Sequence, residues 1–586
     1  MTIPIVAVGF VVVMTMVLGT TGLRYARTTS NFFVASRSVH PVWNAFAVCG
    51  EAMSAASYLG VPALILVFGF ESLWPLVGWT TGFLLLSLFI AAPLRRFGSY
   101  TVPEFIEGRL DSPVLRQVMA IMVIVVSWFF FLAQLKGAGV VTRSLLGTPF
   151  WVGVVAVAVL VAMNLSAGGM RGITFVQGFQ FFFIFLGILV PFAVMSTIWF
   201  RGDLDPIVTD EFPVFFEETA VDYPNDISIT VTAPVRVEIV QGSVVQGAPA
   251  ETLRGFVELP AGEHVVSADS IITWPEGALA PHQSTIDPLR GVDWARPLGE
   301  KSIGGGKPLY FSFAIVFASM FGIMGFPHIL VRFYTNPTGR EARRTNLIVL
   351  ALLAPYYAML ILFGAASRVL SPGLLGAGTT DSATVSIGER LVDGTGGELI
   401  TAVVSAGAAA AFLSTSSGLL IVMGGAVSHD LMSAGVRQFR VAVWAAAALS
   451  ILVALLVETT DISVLIGWST SIAASSITPL LILGIWWKGL TRNGALAAIV
   501  VGGGASTAAV LVTLFGFVDS GWPLAILGTP AVWSVPLAFA IGIFVSLRDS
   551  EVISNLGYKF ALMHVPDQFE TADTSEPIDT FEPVDE

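Results

Sequence analysis

One carboxylate, Glu51, lies deep inside an apolar run that extends from about residue 41 to 69 and contains VCGEAMSAASYLGVPALILVFG (48–69). A charge at bilayer depth costs about 2.5–3.5 kcal/mol on insertion scales unless it is paired, coordinated or protonated. The chemistry open to Glu51 is that of a cation ligand or a proton carrier; a carboxylate that only hydrogen-bonds unwound backbone is the structural alternative. The other acids of the apolar body, such as Glu104, Asp111, Asp430 and Asp461, fall in loops or near the ends of runs. A second group of oxygens is the hydroxyl series Ser414, Thr415, Ser416 and Ser417 in AAAAFLSTSSGLLIVMGG (408–425). Neighbouring hydroxyls with free carbonyls offer hard ligands suited to a small cation, although small hydroxylated residues are also ordinary packing material between membrane helices. His328, in FGIMGFPHILVRF (321–333), is either a pH-sensitive gate or a satisfied packing residue, and the packing role is the commoner one.

The segments that carry these residues are interrupted. The first contains Gly50, Gly60, Pro62 and Gly69, and the second Gly322, Gly325 and Pro327. Non-helical backbone at membrane depth is tolerated only where it lines a cavity or is buried in protein. Gly/Pro interruptions at matching places in two halves of a chain are the best sequence pointer to the binding site of a secondary transporter. The outer part of the first broken segment is expected to begin near Met53 and Ser54. Its free N–H groups and dipole favour an anionic group there, which makes Ser54, Ala55, Ser57 and Tyr58 candidates for holding a small carboxylate.

Thirteen apolar runs of about 20 residues, the length needed to cross a bilayer, can be marked between residues 3 and 547. The second to sixth and the seventh to eleventh form two sets of five, so the second set runs inverted relative to the first. Sixteen Lys and Arg residues fall in one alternating set of short loops, among them Arg24, Arg27 and Arg332, against four in the other. Positive residues are retained in the cytoplasm, which puts the N-terminus outside and the C-terminus inside. The divisions expected are an N-terminal helix and loop (1–40), a first repeat (41–199), an extracytoplasmic insert (200–308), a second repeat (309–487), peripheral helices (488–548) and a tail (549–586).

Charge follows these divisions. Of the 586 residues only 12% are charged, and the net of −12 divides into −10 in the insert, −9 in the tail and +7 in the rest. Within the insert, SITVTAPVRVEIVQGSVVQG and GFVELPAGEHVVSADSIITW alternate with period two between Gly and Pro punctuation, which predicts short strands. The acidic, Pro-containing tail is expected to be disordered. No basic stripe suggests nucleic acid, and the single cysteine, Cys49, builds neither a disulfide framework nor a cysteine metal site. An enzyme is excluded on the same footing, because the spans hold no nucleophile–base or metal constellation.

Seven stretches together resemble the sodium:solute symporter family, and within it the cation/acetate, or monocarboxylate, permeases. They are GEAMSAASYLG (50–60), APLRRFGSYTVPEFIEGR (92–109), GGMRGITFVQ (168–177), GFPHILVRFYT (325–335), AAFLSTSSGLL (410–420), SHDL (428–431) and PLLILGIWWKGLTRNGA (479–495). The resemblance implies a leucine-transporter-type core of two inverted five-helix repeats working by alternating access; with the runs and alternation above, the expected fold is an all-α polytopic membrane protein with about thirteen transmembrane helices and a small β-rich extracytoplasmic insert. It also implies a sodium site made of the Gly50, Met53 and Ala411 carbonyls and the Ser414 and Thr415 hydroxyls. Gln177 stands where sugar-transporting relatives have an aspartate, so a second cation site there is not implied; those relatives also lack an acid at the place of Glu51, which leaves open whether protons replace or accompany sodium.

The resulting expectation is a plasma-membrane symporter for a short monocarboxylate such as acetate, pyruvate or propionate, with Glu51 as coupling carboxylate. Sodium or a proton is the coupling ion and no other cofactor is implied. The expected partners are the solute and the lipid bilayer, without nucleic acid or a protein partner. The rivals are a sodium-coupled symporter for another small solute, such as proline or a sugar, and a transporter-like sensor.

Overall fold

The computed structural model describes residues 2–21, 34–201, 212–246, 251–286, 288, 290–298, 308–432, 435–458, 460, 462–518, 521–551 and 553–566. Arg24, Arg27, Asp461 and the tail beyond residue 566 lie outside the described residues. The body is helical: α1 (Thr2–Thr21), α2 (Pro41–Ala52), α3 (Val61–Phe68), α4 (Trp74–Phe89), α5 (Val102–Leu110), α6 (Pro113–Leu146), α7 (Phe150–Arg201), α8 (Pro308–Gly325), α9 (Pro327–Phe333), α10 (Gly339–Leu370), α11 (Thr395–Gly425), α12 (Val436–Leu456), α13 (Ile462–Trp486), α14 (Ala531–Arg548) and α15 (Leu556–His564).

Ten helices among the described residues are long and apolar enough to cross a membrane, or eleven if α8 and α9 count as one bent span. Two features separate this number from the thirteen expected runs. The second and third runs fall together in the stretch Ala56–Phe89, which turns at Gly69 (φ 67°, ψ −148°) between α3 and α4, and the fifth is a shorter apolar helix, Phe150–Ser166. The fifth and sixth runs join within α7 across a kink at Gly169 (φ 57°, ψ −173°), a backbone setting open to glycine.

Both anticipated interruptions are real breaks. The helix α2 stops at Met53 (φ −77°, ψ 61°), whose N–H closes the last turn on the Cys49 carbonyl at 2.7 Å. The chain resumes through a wide π-turn at Ala56–Gly60 and then α3. The second break is set by Pro327, which drives the preceding Phe326 into extended backbone (φ −69°, ψ 114°). Consequently α8 and α9 meet at 44°. The breaks are packed against α6, α7, α10 and α11, and side chains of α6 and α11, Gln134 and Thr415, bond backbone at the first break.

Within residues 200–308 stand seven antiparallel strands between Thr219 and Gln283. The expected alternation is present: in Thr219–Tyr223 and Ser270–Trp274 every second residue is buried. These inward residues, with Phe215 and Trp274 stacked at 5.9 Å, make a small core of their own that reaches Ala377.

The tail was expected to be disordered from residue 549, but α15 is helical and seated. Its Phe560 lies 4.9 Å from the buried Arg109 guanidinium, and Lys559 pairs with Asp111 at 2.5 Å. Apolar residues spaced Phe560–Met563 bury one side of an otherwise acidic segment, which its charge sum conceals.

Candidate functional site

The end of α2 meets α11 through bare backbone. A β-carbon on Gly50 would stand 2.9 Å from Ser414 Oγ and from the Gln177 carbonyl oxygen, so glycine is what permits this approach. Thr415 Oγ1 donates to the Glu51 main-chain carbonyl at 2.9 Å. The Ser414 hydroxyl is fully buried and has no hydrogen-bond partner among the described residues. Helices leave their last carbonyls without intrahelical donors, and in α2 the break at Met53 presents those carbonyls to Ser414 and Thr415. Gly50, Ser414 and Thr415 are thus brought together; Met53 and Ala411 are buried in the same core. An unpaired hydroxyl beside terminal carbonyls is an oxygen-only donor set that fits a small hard cation.

Glu51 is surrounded differently from the sequence expectation. Arg332, counted there among the cytoplasmic loop residues, is fully buried against it. Glu51 Oε1 accepts from Arg332 Nη2 at 2.5 Å, from Arg332 Nε at 3.0 Å and from Gln177 Nε2 at 2.8 Å. Arg332 Nη1 donates to Thr174 Oγ1 at 2.9 Å, and Gln177 Nε2 also reaches the Ser414 carbonyl at 2.9 Å. One polar knot therefore ties α2, α7, α9 and α11. Gly418 makes room for it, since a β-carbon there would lie 2.2 Å from Glu51 Oε1. Nothing in the local sequence announced Arg332, because its partner is 281 residues away and its own apolar run ends just before it.

The solute candidates divide into two pairs. At the break, Ser54 is buried and the Ala55 N–H donates to Gln134 Oε1 of α6 at 3.0 Å. Farther on, the Ser57 hydroxyl is shared with the Ser54 carbonyl and Tyr356, both at 3.2 Å. Tyr58 turns away: its hydroxyl donates to the Val404 carbonyl at 2.9 Å and fits between Gly187 and Gly407, where β-carbons would stand 2.2 and 2.5 Å from it. It is a strut between α7 and α11. A cavity of about 830 Å³ lies beyond the C-terminal end of α6, bordered by Lys136, Arg143, Asp381 and Asp222 of the first strand.

The sequence pattern of the sodium:solute symporter family matches residues 32–203 and 279–502, both breaks included. The chain belongs to the sodium:solute symporter family. The match omits 204–278, the stretch that holds the first six strands. The symporter YwcA of Bacillus subtilis, itself named as uncharacterized, is 28% identical over 90% of this chain and 91% of its own length. A monocarboxylic acid transporter of Corynebacterium glutamicum is 26% identical over 92% of this chain and 90% of its own. Among solved structures, a Na+-coupled sialic acid symporter in a substrate-bound outward-open state superposes with a TM-score of 0.61 at 14% identity, covering 94% of this chain and 98% of that one. That likeness concerns the fold, which is the leucine-transporter type. The protein is a multi-pass membrane symporter.

Proposed function

We propose that this symporter carries a short monocarboxylate of the acetate, pyruvate or propionate type into the cell, coupled to sodium, by alternating access across the plasma membrane. The observation that carries the sodium assignment is the unpartnered Ser414 hydroxyl beside Gly50, with Thr415 bound to the next carbonyl. The ligand set read from it is the Gly50, Met53 and Ala411 carbonyls with the Ser414 and Thr415 hydroxyls. The similar monocarboxylic acid transporter supports the solute class. Thirteen crossings with the N-terminus outside and the C-terminus inside complete this reading, with two inverted five-helix repeats as the moving parts, and no enzymatic step is part of it.

Glu51 takes a different role from the proton carrier or cation ligand first considered. Protonating it would leave the Arg332 guanidinium uncompensated at depth, and truncating one partner of a buried pair costs about 3–5 kcal/mol. The pair acts instead as an inner latch, holding the cytoplasmic half of the first broken helix against its neighbours until the solute and cation are seated. Solute binding is assigned to Ser54, Ala55 and Ser57, with Tyr58 as a strut. Proteoliposome uptake of radiolabelled acetate, propionate and pyruvate tests the reading, with sodium and pH gradients imposed separately and unlabelled proline and glucose as competitors. Uptake should follow the sodium gradient and ignore both competitors; uptake indifferent to both gradients would refute it.

A further inference from the structure

Between the two breaks, two buried polar side chains have hydrogen-bonding groups left over. His328, the residue after Pro327, is fully buried, and neither its Nδ1 nor its Nε2 has a partner among the described residues. Gln134 is fully buried too; its Oε1 accepts the Ala55 N–H at 3.0 Å, while its Nε2 donor has no partner. Buried donors are normally satisfied, because desolvation without a partner costs free energy. A pair left unsatisfied at adjoining helix breaks therefore points to a group that arrives from outside.

The two side chains share one neighbourhood. Phe130 precedes Gln134 by four residues on α6 and so lies on the same face. Its ring stands 5.3 Å from the His328 imidazole, edge to face, and 5.2 Å from Phe326, the residue at the second break. Phe326 itself lies 5.3 Å from His328. The neighbourhood thus combines neutral N–H donors with two phenyl rings, beside the Ala55 backbone. Among the described residues no buried cation faces this neighbourhood unpaired, since Arg332, one turn beyond His328 in α9, already faces Glu51. What matches is a small molecule with a two-oxygen acceptor end and a short apolar end.

We propose that His328 and Gln134 form the carboxylate-recognition pair of the solute site, each donating one N–H to the anion while Phe130 and Phe326 flank its alkyl end. This rests on the monocarboxylate reading above. The anion's charge is met by the sodium held at Gly50 and Ser414, so the pair orients the solute and the cation balances it, which couples the two. Tyr58, tied to Val404, is not part of the pair.

Two variants of the full chain in proteoliposomes test the pair. His328→Phe removes both nitrogens at similar shape. Gln134→Glu keeps the acceptor for Ala55 and replaces the free donor with an acceptor that repels a carboxylate. Each should raise the KM for propionate by at least about tenfold, the equivalent of one lost hydrogen bond. His328→Gln, which restores an N–H, should bring KM back to within about threefold of wild type. Sodium-induced thermal stabilisation in detergent should persist in all three, showing that they fold and bind the cation. Wild-type uptake with an unchanged KM in both His328→Phe and Gln134→Glu would overturn the pair alone. If the wild type transports none of the three acids, the monocarboxylate reading falls and the pair's assignment falls with it.

Discussion

Replacing Glu51 by Gln removes the anion against which a fully buried guanidinium is held. In the structure one oxygen accepts three donors, at 2.5, 3.0 and 2.8 Å, and the pair has no water-exposed surface to relax into. Hydrogen bonds to charged groups contribute about 1.5–3 kcal/mol each, but three on one oxygen are not additive. The cost of stripping one partner from a buried pair, about 3–5 kcal/mol, is the better guide for Glu51→Gln or Arg332→Met alone. The double variant Glu51→Gln with Arg332→Met leaves no uncompensated charge and should cost less than the two single changes together by about 3 kcal/mol. Unfolding by SDS in mixed micelles, followed by the fluorescence of the 14 tryptophans, measures all four corners of this cycle. The same pair should hold the inner half shut, and the protein carries its own reporter. Cys49, its single cysteine, is buried two residues before Glu51. A loss of about 3 kcal/mol permits up to about a hundredfold rise in its alkylation from the cytoplasmic side, because each 1.4 kcal/mol is tenfold. Single variants within about 0.5 kcal/mol of wild type, an additive double, or an unchanged alkylation rate would each refute the latch.

Three further outcomes are expected from the same packing. Ser414→Ala should raise the sodium concentration needed for half-maximal uptake by about tenfold or more while leaving the fold intact, as the hydroxyl has no protein partner to lose; unchanged sodium dependence would remove Ser414 from the cation site. Gly50→Ala puts a β-carbon 2.9 Å from both Ser414 Oγ and the Gln177 carbonyl oxygen, and the overpacking should cost about 1–3 kcal/mol in the SDS titration and abolish uptake; a wild-type midpoint would show that the helices part freely. Outside the spans, burial pushes the Glu104 carboxyl up, but His429, the Tyr100 N–H and Arg116 outweigh it and hold the group below its ordinary 4.5. A depressed carboxylate stabilises the fold above its ordinary value and loses that contribution as pH falls through the depressed one. The advantage of wild type over Glu104→Gln in thermal unfolding should therefore shrink as pH is lowered from about 6 to 3, and parallel curves would contradict the assignment.

The two breaks were legible because their causes are local. Pro327 dictates the backbone of Phe326, and the Gly50–Pro62 stretch cannot sustain an unbroken helix, so both interruptions are visible one residue type at a time. Period-two alternation likewise revealed the strands of the insert. The Glu51–Arg332 pair was not legible. An arginine just past the end of an apolar run reads as a loop residue, and only the packing of α9 against α2 brings it to a carboxylate far away in sequence. His328 was read as a satisfied packing residue, the commoner case, and its lack of a partner is a property of the packed interior that no spacing reveals. Tyr58, a candidate by position alone, is committed to Val404 by the way α11 crosses. The helix α15 was hidden by the acidic composition around it, although Phe560 and Met563 seat it on the body.

The most direct test of a sodium-driven monocarboxylate symporter is concentrative uptake of labelled propionate into proteoliposomes under an inward sodium gradient at equal pH, compared with an inward proton gradient without sodium. Accumulation above equilibrium with the sodium gradient, and none with the proton gradient, is the predicted result. Accumulation driven by the proton gradient alone, or by neither, would contradict it.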